Sequence, residues 1–169
     1  PGPGDPYIYS FGTPNGRGGA AYVSRVAPAQ IPDLSKYEYW NNESQSWVPN
    51  NPGAASPIIP GPVGEMSVQY NTYLNKYVML STDSSNNVVM RTADDPTGTW
   101  SGPTTLVTSA QYPGLYAPMI HPWSGTSLLK TTSGGTDNPA YLYWNMSIWS
   151  NYNVVLMQTD LAPLKTTAV

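Results

Sequence analysis

Glu65 is the side chain best placed to do chemistry in this 169-residue chain. It follows Gly64 and opens Met66-Ser67-Val68-Gln69-Tyr70, whose alternation reads as a strand with Glu65, Ser67 and Gln69 on one face and Met66, Val68 and Tyr70 on the other. A partly buried glutamate at the mouth of an inner strand has its pKa raised and can protonate the leaving oxygen of a glycosidic bond. The expected role is therefore a catalytic general acid. The structural alternative is a glutamate that caps the strand or pairs with Arg91 or Arg25. No other carboxylate shows a paired arrangement on a strand.

His121 is the single histidine. Alternation sets it on one face with Ala117 and Met119, where it could touch a sugar hydroxyl, tune a carboxylate, or serve structure alone. With no second histidine or clustered carboxylates, no metal site is expected. No cofactor is expected either, since GxSxG, P-loop, GxGxxG and CxxC motifs are absent, and Gly16-Arg17-Gly18-Gly19 lies in a turn with no helix after it to bind phosphate. Six Trp and 13 Tyr stand against one Phe. Such rings stack on the C–H face of sugars and bond their hydroxyls, although they also fill amphipathic sheet surfaces. Tyr116, Trp123, Trp144 and Trp149, with His121 and Arg91, are the candidate substrate contacts.

These residues must be held by strands. With 18 Pro and 15 Gly the chain is punctuated every few residues, and no long window keeps a helical period free of breakers, so the fold is read as all-β. A strand–turn–strand unit recurs three times, opening at Tyr7, Tyr77 and Tyr141, which lie 70 and 64 positions apart. Repeats of this size built of short strands suggest β-propeller blades. Glu65–Tyr70 and Tyr116–His121 precede the second and third hairpins as candidate inner strands. Lys36–Trp40 with Trp47, and Thr99–Pro103, follow the first and second as candidate outer strands. Residues 1–169 are thus read as one propeller-type domain, incomplete at its N-terminus. Its blade segments lie at about 5–48, 64–107 and 115–160, roughly two and a half blades. The first blade lacks an inner strand and the last a clear fourth one. The stretch from Pro49 to Pro62 reads as an extended connector. The chain begins at Pro1 without a methionine or signal peptide and is read as a processed or truncated piece.

Composition narrows the partners. A net charge of −3 without any Lys/Arg run argues against nucleic acid, and no apolar run is long enough to span a bilayer. With no cysteine, disulfides and thiol chemistry are excluded. Only 10% of residues are charged, and the abundance of Asn, Ser, Thr and Tyr points to a secreted, extracellular protein. Sequons at Asn42-Glu43-Ser44 and Asn145-Met146-Ser147 are candidate glycosylation sites.

Several segments resemble the DUF4185 family: Tyr9–Val26, which looks like its FGTPxGRxGxxxLARV hairpin, Lys36–Trp40, Gly61–Asn71 and Tyr116–Pro122. The resemblance covers most of residues 7–160. It implies the C-terminal part of a five-bladed propeller, secretion, and membership of a group that includes glycoside hydrolases of family 183, endo-acting on D-arabinan. It makes Glu65 similar to the inner-strand acid of furanosidase-type propellers, whose second carboxylate would stand on an earlier blade absent here. The expected partner is a polysaccharide or oligosaccharide, with an N-terminal fragment or second chain completing the propeller. Two readings follow: part of a hydrolase cleaving a furanose polysaccharide, or a non-catalytic carbohydrate-binding or structural module. A second carboxylate within roughly 5–10 Å of Glu65 favours hydrolysis. An arginine on Glu65 with no other acid favours binding or structure.

Overall fold

The computed structural model describes residues 1–130 and 134–165. Among the described residues, eleven strands form three antiparallel meanders. The first sheet holds β1 (Ile8–Gly12), β2 (Tyr22–Val26), β3 (Glu38–Asn41) and β4 (Ser46–Pro49). The second holds β5 (Met66–Asn71), β6 (Lys76–Thr82), β7 (Val88–Ala93) and β8 (Thr104–Val107). The third holds β9 (Leu115–Ile120), β10 (Tyr141–Ile148) and β11 (Asn153–Asp160). No helix exceeds a single 3-10 turn among the described residues. The fold is all-β, with the sheets arranged as propeller-type blades. Of the terminal segment, residues 166–169 lie outside the described residues.

The three repeated hairpins are β1–β2, β6–β7 and β10–β11. Their turns gather on one rim, since Arg17 of the first turn bonds Asn86 of the second and lines one cavity with Trp149 of the third. The inner strands β5 and β9 run parallel to each other, because Ser67 bonds Ile120 while Gln69 reaches Pro122. β1 runs the opposite way: its start lies beside Tyr70 and Tyr77, and the turn after its end meets Glu65. It is the counterpart of β6, not of β5. The first sheet reaches four strands through β4 at its outside, and no strand flanks the inner edge of β1 among the described residues.

One expected boundary is corrected. The outer strand of the second sheet is residues 104–107, not 99–103. Pro96, Gly98, Gly102 and Pro103 break regular pairing there. Ser101 hydrogen-bonds that loop to β7, donating its N–H to Thr92 O at 2.8 Å and accepting from Thr92 N at 3.0 Å.

Alternation along β6 and β7 feeds two cores. Val78, Leu80, Val88 and Met90 pack against Leu115, Ile120, Leu142, Trp144 and Met146 of the third sheet. Tyr77, Met79 and Ala93 face the first sheet with Trp100, Val63 and Ile59, and Phe11, Met66, Val68 and Tyr70 close over them half-buried. The proline-rich connector is extended only in part: it makes a 3-10 turn at Pro52–Ala54 and then passes the first hairpin, where Ala21 N donates to Ile59 O and Ile58 N donates to Ala21 O. It ends at Glu65.

Candidate functional site

Glu65 stands where the connector turns into β5, and two close approaches fix it there. A Cβ on Gly61 would lie 2.6 Å from Gly18 O, and one on Gly64 would lie 1.8 Å from Thr82 Oγ1. Only glycine lets the backbone pass so near its neighbours. Gly64 N donates to Thr82 O at 2.9 Å, setting the glutamate beside the end of β6. Glu65 thereby leaves the face shared by Ser67 and Gln69, which point to β9, and turns toward the first hairpin.

Both carboxylate oxygens accept hydrogen bonds. Arg17 donates through Nε at 2.8 Å and Nη2 at 2.5 Å to Glu65 Oε1, and Thr82 Oγ1 donates to Oε2 at 3.1 Å. The third guanidinium nitrogen of Arg17 donates to Asn86 Oδ1 at 3.1 Å. Burial pushes Glu65 upward, but hydrogen bonds from its own backbone N–H, from Arg17 and from Thr82, with the arginine charge, outweigh it and hold the group below its usual range. The direction is opposite to the raised value a general acid needs: an ionised Glu65 suits a base, nucleophile or anchor. Its cation is Arg17, not Arg91 or Arg25. Arg25 is committed to Glu38 at 2.6 Å and stacks on Tyr7 and Trp47.

Next to Arg17 opens a cavity of about 330 Å³ lined by Arg17, Asn86, Ser109, Leu115, Tyr116 and Trp149. Tyr116 and Trp149 meet edge to face at 5.9 Å, and Tyr152 lies 5.4 Å beyond Trp149. Trp149 and Tyr152 are exposed. The ring of Tyr116 is set by a kink in β9: Ala117 has φ 50, and the β9–β10 register shifts between Asn145 and Ser147, the signature of a bulge. Hydroxyl, amide and guanidinium groups thus flank an accessible aromatic corner.

Of the sequence candidates, the rim gathers Glu65, Tyr116 and Trp149. His121 and Trp123 lie at the opposite end of β9, where His121 Nδ1 accepts from Trp123 N at 3.2 Å and the rings are 5.7 Å apart. Trp144 is 1% exposed, and its Nε1 donates to Thr159 Oγ1; it is a core residue, and no ligand can reach it. Arg91 is half-buried on β7 and donates to Ser101 O at 3.0 Å, while its Nε is buried without a partner; its desolvated guanidinium lies away from the rim. Asn42 is exposed in the β3–β4 turn, whereas Asn145 is half-buried in mid-strand opposite Met119 and Leu156.

Sequence reasoning missed Arg17, Thr82 and Asn86. The signal for Arg17 was a lone charged residue in a glycine-rich turn, testable for an acidic partner rather than for phosphate. Among the described residues, no second carboxylate bonds Arg17, Thr82 or Asn86, and no group of three or more acidic, histidine or cysteine side chains could hold a metal. Asp83, adjacent in sequence, is consumed by its own turn through Ser85 N and Asn87 N.

Comparison with known proteins gives these contours a family. The family model described as a domain of unknown function, DUF4185, matches residues 2–158. Notoamide biosynthesis cluster protein J' of Aspergillus versicolor is 37% identical over 110 residues, covering 63% of this chain and 30% of its own length. Notoamide biosynthesis cluster protein J of Aspergillus sp. (strain MF297-2) is 31% identical over 146 residues, covering 84% of this chain and 36% of its own. The crystal structure of a "putative hydrolase" from Bacteroides ovatus superposes with a TM-score of 0.65 at 19% identity, over 98% of this chain and 45% of that one. That likeness shows the fold. The chain spans about a third of the length of the curated relatives it matches.

Proposed function

We propose that this chain, which belongs to the DUF4185 family, binds an oligosaccharide at the rim: an arginine holds Glu65 and no second acid joins it among the described residues, the outcome that favours binding, so that any role in glycoside hydrolysis needs a carboxyl group from elsewhere. The observation that carries this is the juxtaposition of an ionised, arginine-held Glu65 with the aromatic cleft of Tyr116 and Trp149. A sugar ring can lie its C–H face on Trp149 while its hydroxyls meet Asn86, Ser109 and the edge of Arg17. Hydrolysis needs a second carboxyl group at roughly 5–10 Å, one protonated and one ionised. Glu65 supplies the ionised member. The protonated member must come from polypeptide that this chain does not span, so the chain alone binds without cleaving. A furanose polymer such as arabinan, outside the cell, is the substrate class that the family resemblance favours.

The test is titration of the chain with arabinan-derived oligosaccharides and a panel of neutral pyranose oligosaccharides, followed by calorimetry and tryptophan fluorescence. Trp149→Ala is expected to weaken binding about tenfold or more, about 1.4 kcal/mol, without affecting stability. Absence of saturable binding across the panel would sink the reading.

A second reading rests on a different cavity. The open face of the first sheet carries a hollow of about 510 Å³, mostly apolar, lined by Phe11, Pro14, Tyr22, Tyr39 and Pro52. The two curated relatives are named for a biosynthesis cluster, which points to a small molecule rather than a polymer. A small, largely apolar metabolite would bind there and would be insensitive to Trp149→Ala but lost in Tyr22→Ala.

A further inference from the structure

The turn between β1 and β2 has a clamped base and a free tip. At the base, Arg17 reaches Glu65 and Asn86, and Val63 N donates to Gly19 O at 2.9 Å. The connector passes so close that a Cβ on Gly61 would lie 2.6 Å from Gly18 O, and one on Gly19 would lie 2.7 Å from Pro14 Cδ. The tip is Asn15-Gly16, the one Asn-Gly step in the chain. Both residues are exposed, and among the described residues neither makes a hydrogen bond through backbone or side chain. A Cβ built on Gly16 would meet nothing within 4 Å. Elsewhere the asparagines are held: the side-chain oxygens of Asn41, Asn71, Asn138 and Asn151 each accept a nearby backbone N–H.

We infer that Asn15 is a site of spontaneous covalent modification, with water as the reactant, and that its conversion loosens Arg17 from Glu65. The Gly16 amide nitrogen loses its proton to solvent base and attacks Cγ of Asn15. The bond from Cγ to the side-chain nitrogen breaks, that nitrogen leaves as ammonia, and a succinimide ring closes. Water then opens the ring at either carbonyl, giving aspartate at one and isoaspartate at the other. No oxidant or reductant takes part. Three features select this residue. Gly16 carries no side chain to obstruct the attack and turns freely. Its N–H is not held by an acceptor, and the Asn15 amide has no bond to give up on rotating. Either product sets a new carboxylate two residues before Arg17, where it competes with Glu65 for one guanidinium. The isoaspartate form also routes the main chain through Cβ and Cγ, which adds an atom to the tip while the base stays clamped. This inference is independent of what the rim binds.

Ageing the folded chain at mildly alkaline pH tests both steps. Trypsin cuts after Arg17 and releases residues 1–17, in which Asn15 is the only asparagine. Mass spectrometry of the peptides is expected to show Asn15 converting roughly tenfold faster than any other asparagine, since only its successor lacks a side chain. Carbon-13 NMR of the Glu65 carboxyl reads the consequence. Its titration midpoint lies below 4.5 in fresh protein and moves upward in aged protein, because a withdrawn cation and an added anion both favour the protonated form. Asn15→Gln keeps the fresh midpoint throughout, since its side chain would have to close a larger ring. Conversion at Asn15 no faster than at Asn151, which stands in an equally exposed turn, overturns the inference. So does full conversion that leaves the Glu65 midpoint in place, and so does an Asn15→Gln chain that drifts on ageing as wild type does.

Discussion

The interface between the second and third sheets and the one between the first and second are built from the same hairpin unit, but they pack differently. The former is aliphatic and closed: Leu80, Leu142 and Met146 have no exposure, and the two inner strands lie side by side. The latter is aromatic and open. Phe11 meets Trp100 edge on at 6.1 Å, Tyr9 meets Tyr77 at 6.3 Å, and a cavity remains beside β5. Polar links supplement it, namely Arg17 with Glu65 and Tyr77 Oη accepting from Gly2 N at 2.9 Å. An interface with both inner strands in place stabilises by burial, whereas one lacking a strand depends on ring edges and charged contacts at its margins. The candidate site lies on the looser side.

The largest expected effect tests this contrast directly. Leu142→Ala removes a fully buried side chain from the closed core and is expected to cost about 2–5 kcal/mol. That is a large fraction of a domain's usual stability of roughly 5–15 kcal/mol. Phe11→Ala, at the half-buried open interface, is expected to cost about 1–2 kcal/mol, because water already reaches part of the ring. Urea denaturation with a shared m-value reads both. Equal costs would mean that the two interfaces are equally tight.

A smaller effect probes how the site is anchored to the open side. Gly64→Ala drives a Cβ to 1.8 Å from Thr82 Oγ1 and 3.1 Å from Thr82 Cβ, so the connector or β6 must shift. A cost of about 1–3 kcal/mol is expected. The double variant Gly64→Ala/Thr82→Ala removes the hydroxyl and recovers part of it. Rescue to wild-type stability would locate the whole strain in that hydroxyl; no rescue would locate it in the backbone.

Much of the frame was legible before the structure because it rests on short-range rules. The recurring hairpin marked β6, β7, β10 and β11, and alternation grouped Met66, Val68 and Tyr70 on one face of β5, which the structure turns toward the core. The hairpin repeat at Tyr7, Tyr77 and Tyr141 corresponds to three turns on one rim. The site was only partly legible. Glu65 could be picked out from Gly64 and the strand that follows, but its protonation depends on Arg17, 48 positions away, and no local pattern encodes that contact. Trp144 illustrates the converse: the sequence shows an aromatic with a polar handle, and only tertiary packing reveals that Thr159 satisfies the handle inside the core. The bulge at Ala117 was hidden because an alanine at positive φ has no composition signal.

The smallest effect is the most specific, because its sign discriminates between roles for Glu65. The carboxyl is held below its ordinary value of 4.5 in the folded chain. A group with a depressed folded pKa adds stability above its unfolded value and loses it as pH falls through the folded one. The side chains of Arg17 and Glu65 are 49% and 36% exposed, so solvent screens the pair and its contribution at pH 7 is at most about 1 kcal/mol. Wild type should therefore exceed Glu65→Gln in stability by that margin at neutral pH, with the gap steady down to about pH 5 and closing on further acidification. Molar salt should shrink the gap at pH 7. A general acid with a raised pKa would behave in the opposite way: its stabilisation would be complete at low pH and would fade as pH rose through the folded value. A gap that widens on acidification would return Glu65 to the acid role and remove the need for a protonated partner elsewhere, whereas a gap that closes leaves it as the ionised half of the pair.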